Sequence, residues 1–133
     1  MIHQLYKDDS FGKEMSDSNI DATIKRFQEH PDNGLIWVAE TGGKLIGYAI
    51  VVNFWSNEYS GLLQFIDELF IEPEYRNKGI GEEFINQLMT DKTSSYKAIL
   101  LEVNPENERA FKFYQRLGFT VSEQKTLIKE ISN

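Results

Sequence analysis

Two kinds of chemistry lie close together in this sequence. Asp67 and Glu68 are adjacent acids inside the apolar run Phe65-Ile66-Asp67-Glu68-Leu69-Phe70-Ile71. A carboxylate beside apolar surface can accept a proton or anchor an amine. Five residues after Ile71 comes Arg76-Asn77-Lys78-Gly79-Ile80-Gly81. It opens an amphipathic pattern with Phe84, Ile85, Leu88 and Met89 expected on one side. Backbone N–H groups at a helix start have no intrahelical acceptor, and the helix dipole adds partial positive charge there. Glycines let an anion come against those amides without a Cβ clash. Phe65 to Met89 therefore reads as a strand bearing two acids, an anion-accepting turn, and a helix.

Two common phosphate folds do not fit. A P-loop needs Lys and then Ser or Thr after its glycines, and Gly79 and Gly81 have neither. A dinucleotide fingerprint would need a third glycine where Phe84 stands, and its strand would lie in a parallel context.

Composition narrows the partners. The formal charge of −7 weighs against non-specific binding to nucleic acid or to an anionic membrane, and it favours a cationic ligand. With no cysteine there is no disulfide, thiolate metal site or cysteine nucleophile. His3 and His30 are the only imidazoles, so no metal site is expected. No apolar run is long enough for a membrane span and no signal-peptide core is visible, so a cytoplasmic location is expected. A chain of 133 residues suits one domain over 1–133.

The elements that must hold the site follow from pattern. A short strand is expected within Met1–Tyr6, then a polar stretch over Lys7–Ser16. Asp17 or Ser18 can cap a helix from Asn19 to Glu29 with Ile20, Ile24 and Phe27 inward. Pro31 to Gly34 ends it. Leu35–Glu40 and Leu45–Trp55 read as strands joined by the turn Thr41-Gly42-Gly43-Lys44. The second is apolar enough to be buried on both faces, and for Tyr48, Phe54 and Trp55 core packing is the default, with lining of an acceptor site the alternative for each. Leu62–Ile71 is the next strand and Ile80–Asp91 the helix after the glycines. Ala98–Val103 returns as a strand, which a right-handed crossover makes parallel to Leu62–Ile71. Asn104-Pro105 is expected to open a last helix, with Ala110, Phe113, Tyr114 and Leu117 inward and Gly118 as its stop. Phe119–Ser122 and Thr126–Ile131 would close the chain as a hairpin.

Arg76-Asn77-Lys78-Gly79-Ile80-Gly81 has the form R-x-x-G-x-G and resembles the acyl-CoA pyrophosphate loop of the GCN5-related N-acetyltransferases. Asn107-Glu108-Arg109-Ala110-Phe111-Lys112-Phe113-Tyr114 resembles that family's N-x-x-A-x-x-F-Y signature, and Arg116-Leu117-Gly118-Phe119 follows in the usual place. The matches run in the right order from about Leu35 to Ile131. The resemblance implies a mixed α+β fold. It would have a mostly antiparallel sheet of six to seven strands, one splayed parallel pair and about four helices. It implies acetyl-CoA as co-substrate, with no metal. Arg76, Asn77, Lys78, Gly79, Ile80 and Gly81 would meet the pyrophosphate. Leu69, Phe70 and Ile71 would pair with the pantetheine arm, and Asn107, Ala110 and Tyr114 would complete the cofactor contacts. Tyr114 would be the general acid. Period-two alternation sets Asp67 and Glu68 on opposite faces unless a bulge falls between them. Asp67 is the favoured base or amine anchor, with Glu68 second.

The expected reaction is direct acetyl transfer to a primary amine of a small cationic molecule. Alternatives are acetylation of a protein N-terminus or lysine, or a non-catalytic acyl-CoA-binding module. The resemblance allows a homodimer.

Overall fold

A two-residue turn starts the central hairpin of the sheet, and a register shift between Ala39 and Glu40 leaves Ile46 over before the ladder continues at Gly47. Gly42 and Gly43 take φ of +56° and +77°, and Thr41 pairs with Lys44 across them. Two successive positive φ values give a turn whose twist matches the strands it joins. The strands are β2 (Gly34–Thr41) and β3 (Lys44–Ser56). β1 (Ile2–Gln4) and β4 (Gly61–Ile71) flank them, and β5 (Tyr96–Leu101) completes the sheet in the order β1-β2-β3-β4-β5. Every pairing is antiparallel except β4 with β5.

The computed structural model describes residues 2–4, 18–90 and 96–132. The expectations for Lys7–Ser16 and for an Asp17 cap lie outside them. The helices are α1 (Ser18–Glu29), α2 (Ile80–Thr90) and α3 (Glu108–Arg116). The chain divides into two compact units, Met1–Glu102 and Val103–Asn133.

The first unit is a sheet with a helix on each face. β3 is buried without a break from Ile46 to Val51, as a central strand covered on both sides must be. On one face, Ile20, Ile24 and Phe27 of α1 pack against Ile36, Val38, Tyr48 and Ile50. Trp37 neighbours Val38 on β2 and so points the other way. There it meets α2. The Trp37 and Phe84 rings lie 4.8 Å apart, and Trp37 Nε1 donates to Gln87 Oε1 at 3.0 Å. An indole buried to 0% exposure needs such an acceptor.

Several expectations are corrected. The described residues hold five of the six to seven expected strands and three of the about four expected helices, while other expectations change outright. Met89 is 64% exposed while Phe84, Ile85 and Leu88 are buried. At about 100° per residue Met89 sits roughly 140° around the helix from Phe84, past the covered arc. Phe54 and Trp55 are exposed near the β3–β4 turn, not in the core. Asn104-Pro105 does not open the last helix. Asn104 Oδ1 instead accepts from Glu106 N in a turn, and Asn107 caps α3 by accepting from Ala110 N at 3.1 Å. The closing hairpin does not form. Residues 119–132 make no strand pairing, and Leu127 is 94% exposed. Two strands alone are marginal in water without a surface to cover. No helix among the described residues is long and apolar enough to cross a membrane.

The α2 anchor gives a stability prediction. Phe84→Ala removes a fully buried ring and should cost about 3–5 kcal/mol in denaturant unfolding. A loss below about 1 kcal/mol would show that Phe84 does not hold α2 to the sheet.

Candidate active site

The site begins with one extra residue in β4. On the β3–β4 ladder Val51 pairs with Ile66, but the next residue of β3, Ile50, pairs with Glu68. Asp67 is the residue left over. An even step along a strand should keep a side chain on one face. Here the step from Ile66 to Glu68 changes face, because a bulge inserts a residue and bends the strand. Glu68 therefore lies opposite Ile50, on the face packed by α1. The phenol of Tyr48 on that face donates to Glu68 Oε1, and the Tyr48 and Phe70 rings lie 5.8 Å apart. Both acids are exposed. The register thus settles the question left open by alternation: the bulge falls at the acid pair, and Glu68 is the one held by a side chain of β3.

The same bulge ends the parallel pairing. β4 and β5 are matched from Leu62 with Tyr96 to Ile66 with Leu101, and no further. Beyond Ile66, the edge of β4 that faced β5 has no strand partner through Leu69, Phe70 and Ile71 among the described residues, and Leu69 and Ile71 turn their backbone groups outward there, with Ile71 O taken by Arg76. An unpaired edge offers alternating N–H and C=O groups to an extended ligand.

The strand runs into the glycine turn through a 3₁₀ turn at Pro73–Tyr75. Asn77 and Gly79 have φ of +63° and +84°. Such a conformation suits glycine, and asparagine tolerates it better than most. Gly81 carries no positive φ, so the backbone does not require glycine there. The first helical bond of α2 runs from Glu83 N to Gly79 O at 3.0 Å. The amides of Gly79, Ile80 and Gly81 precede that ladder and are placed to receive an anion. Arg76 does something other than the sequence suggests. Its Nε donates to Ile71 O at 2.8 Å and its guanidinium lies 5.8 Å from the Phe70 ring centroid. It ties the turn back to the end of β4. Lys78 Nζ lies 5.4 Å from the Tyr75 ring centroid.

The remaining predicted residues belong to the second unit. Asn107 spends its side-chain oxygen on the α3 cap, and Ala110 is the residue capped. Tyr114 packs edge-on against Phe113 and Phe119, with centroids 5.0 and 5.5 Å away. Burial raises its phenol above the ordinary tyrosine value, because the phenolate would lose hydration. It therefore remains a neutral O–H donor throughout the neutral range. Among the described residues no group of three or more His, Asp or Glu could hold a metal ion. The contact sequence reading missed is Tyr48 on Glu68. Pairing Tyr48 with the acid requires knowing where the bulge falls.

Comparison with known proteins agrees with this geometry. The Acetyltransferase (GNAT) family matches residues 1–119. An uncharacterized N-acetyltransferase of Methanocaldococcus jannaschii is 35% identical over 80% of this chain, which spans 46% of that protein. A 5-NmdU N-acetyltransferase of Pseudomonas phage PaMx11 is 31% identical, over 91% of this chain and 79% of its own. Among solved structures, the aminoglycoside N-acetyltransferase AAC(6′)-Iy in complex with CoA superposes with a TM-score of 0.82 at 19% identity. It covers 99% of this chain and 100% of its own.

The two glycines should separate by stability. Gly79→Ala forces a side chain into positive φ and should cost about 1 kcal/mol or more in thermal unfolding. Gly81→Ala sits in the first turn of α2 and should cost nothing or stabilise by up to about 1 kcal/mol. Equal losses at both positions would contradict the assigned loop conformation.

Proposed function

This chain belongs to the acetyltransferase (GNAT) family, and on that premise we propose that it transfers an acetyl group from acetyl-CoA directly to a primary amine of a small cationic molecule. The observation that carries the reading is the bulge at Asp67, where β4 leaves β5 just before the glycine turn. The free edge at Leu69–Ile71 suits the amides of a pantetheine arm. The amides from Lys78 to Gly81 suit its pyrophosphate, with Asn77 and Ile80 shaping the turn and Arg76 holding it to the strand. Asn107 and Ala110 enter the reading as the start of the helix that carries Tyr114.

The chemistry assigns roles to few residues. The amine nitrogen, once deprotonated, attacks the thioester carbonyl. The C–N bond forms, the C–S bond breaks, and the thiolate takes a proton. Glu68, held by Tyr48 at the bulge, is the acid for the amine. It anchors the ammonium and receives its proton directly or through water. Asp67, next to it, adds negative charge that draws a cation. Tyr114 is assigned the general-acid role because it ends the N-x-x-A-x-x-F-Y motif and its raised phenol keeps its proton. The chain's −7 charge favours a cationic acceptor. Relatives named for such amines support it: a spermine/spermidine N(1)-acetyltransferase of Bacillus subtilis is 27% identical over 67% of this chain.

The test is thiol release from acetyl-CoA with polyamines, aminoglycosides, amino acids and N-terminal peptides as acceptors. Turnover should be fastest with a polyamine or aminoglycoside. A preference for peptides, or no release with any amine, would overturn the proposal. With the best acceptor, Glu68→Gln should lower kcat/KM by about 10²–10⁴, and Asp67→Asn by less than about tenfold. The reverse order would return the role to Asp67. Tyr114→Phe should lower kcat by about 10²–10⁴ while CoA affinity measured by calorimetry stays within about twofold. Unchanged turnover would remove the general-acid role.

A further inference from the structure

One cluster of side chains near the glycine turn has no role in the function proposed above, which uses only the backbone amide of Lys78. Lys44 begins β3 just after the Gly42-Gly43 turn, far from Lys78 in sequence. Yet Lys44 Nζ lies 5.9 Å from the Tyr75 ring centroid and Lys78 Nζ lies 5.4 Å from it. Two ammonium groups therefore share one ring. Each is favoured by the ring quadrupole, but they repel one another. No carboxylate pairs with either among the described residues. Both lysines are exposed and Tyr75 is half-buried.

The placement of Lys44 is fixed by backbone. Glu72 N donates to Ile46 O at 2.8 Å, and Gly47 pairs with Ile71. The start of β3 is thus tied to the segment that leaves β4 for the glycine turn. The neighbouring cation, Arg76, is committed to Ile71 O and the Phe70 ring. In a chain with a formal charge of −7, two lysines gathered on one aromatic ring beside the start of α2 have no carboxylate partner among the described residues.

We infer that Lys44, Tyr75 and Lys78 form a second anion site, beside the loop amides, that takes a phosphate monoester carried on the nucleotide whose pyrophosphate occupies those amides. For CoA this is the ribose 3′-phosphate. The inference deepens the donor reading and rests on it. The amides of Gly79 to Gly81 serve one anion and are uncharged, so they suit a pyrophosphate held by directed hydrogen bonds. The dianionic monoester is better served by two mobile ammonium groups acting as point charges. Tyr75 gathers both ammonium groups at one ring without neutralising them.

The site makes Lys44 a specificity residue for the donor. The experiment is calorimetry of the full chain with CoA and with dephospho-CoA, which lacks only that phosphate, repeated for Lys44→Gln. Lys25→Gln, on the exposed side of α1, controls for loss of one positive charge. The native chain should bind CoA about tenfold more tightly than dephospho-CoA, as two charge-assisted contacts would give. In Lys44→Gln the preference should fall to about threefold or less, with dephospho-CoA affinity unchanged. Lys25→Gln should keep the native preference. Equal native affinities for the two ligands would overturn the second site and leave the loop reading standing. So would a Lys44→Gln chain that keeps the full preference, or one that loses affinity for both ligands equally. Absence of binding by both ligands to the native chain would overturn the loop reading and this inference with it.

Discussion

Everything at this site depends on one unpaired residue. Asp67 has no partner on β3, and from that point β4 is also free of β5. A bulge costs ladder hydrogen bonds and bends the strand. It persists because the sheet is clamped on both faces, by the α1 cluster around Ile36 and Tyr48 and by the Trp37–Phe84 contact beneath α2. The bend has three consequences. It turns Glu68 to the α1 face, where Tyr48 bonds it. It opens the edge at Leu69–Ile71. It aims the end of β4 into the glycine turn.

Charge is divided along the same strand. Asp67 and Glu68 lie at the bulge, and the cations Arg76 and Lys78 follow the end of β4, with Lys44 joining them from the β2–β3 turn. The cationic acceptor and anionic donor proposed above would thus approach different parts of one strand without neutralising each other. The turn is held to the fold at several points. Arg76 bonds Ile71 O, Glu72 N bonds Ile46 O, and α2 is pinned through Gln87 to the buried Trp37 indole. Anion binding gains most when donors are oriented before the ligand arrives, because less ordering is left to do.

Much of this was legible in the sequence because local rules carry it. The Gly42-Gly43 turn fixes a hairpin, the apolar run through β3 marks a central strand, and the glycines after β4 mark a helix start. Element order followed, and with it the family resemblance. What was not legible depends on contacts remote in sequence. Alternation alone cannot say where a strand gains a residue, so the face of Glu68 and its bond to Tyr48 were hidden. Arg76 reads as a free cation beside a phosphate turn, but a nearby carbonyl and the Phe70 ring claim it. Asn104-Pro105 reads as a helix start, and only the side-chain bond to Ala110 N places the cap at Asn107 instead. The tail alternates as a hairpin would, yet pairing needs a surface to cover.

The central claim is that the edge of β4 beyond the bulge and the amides opening α2 together receive the acyl-CoA donor. Amide hydrogen exchange with and without CoA tests it most directly, since both contacts are made by backbone N–H groups. Saturating CoA should slow exchange at Leu69–Ile71 and at Lys78–Gly81, while α1 stays unchanged. Protection confined to other segments, or none at these two, would contradict it.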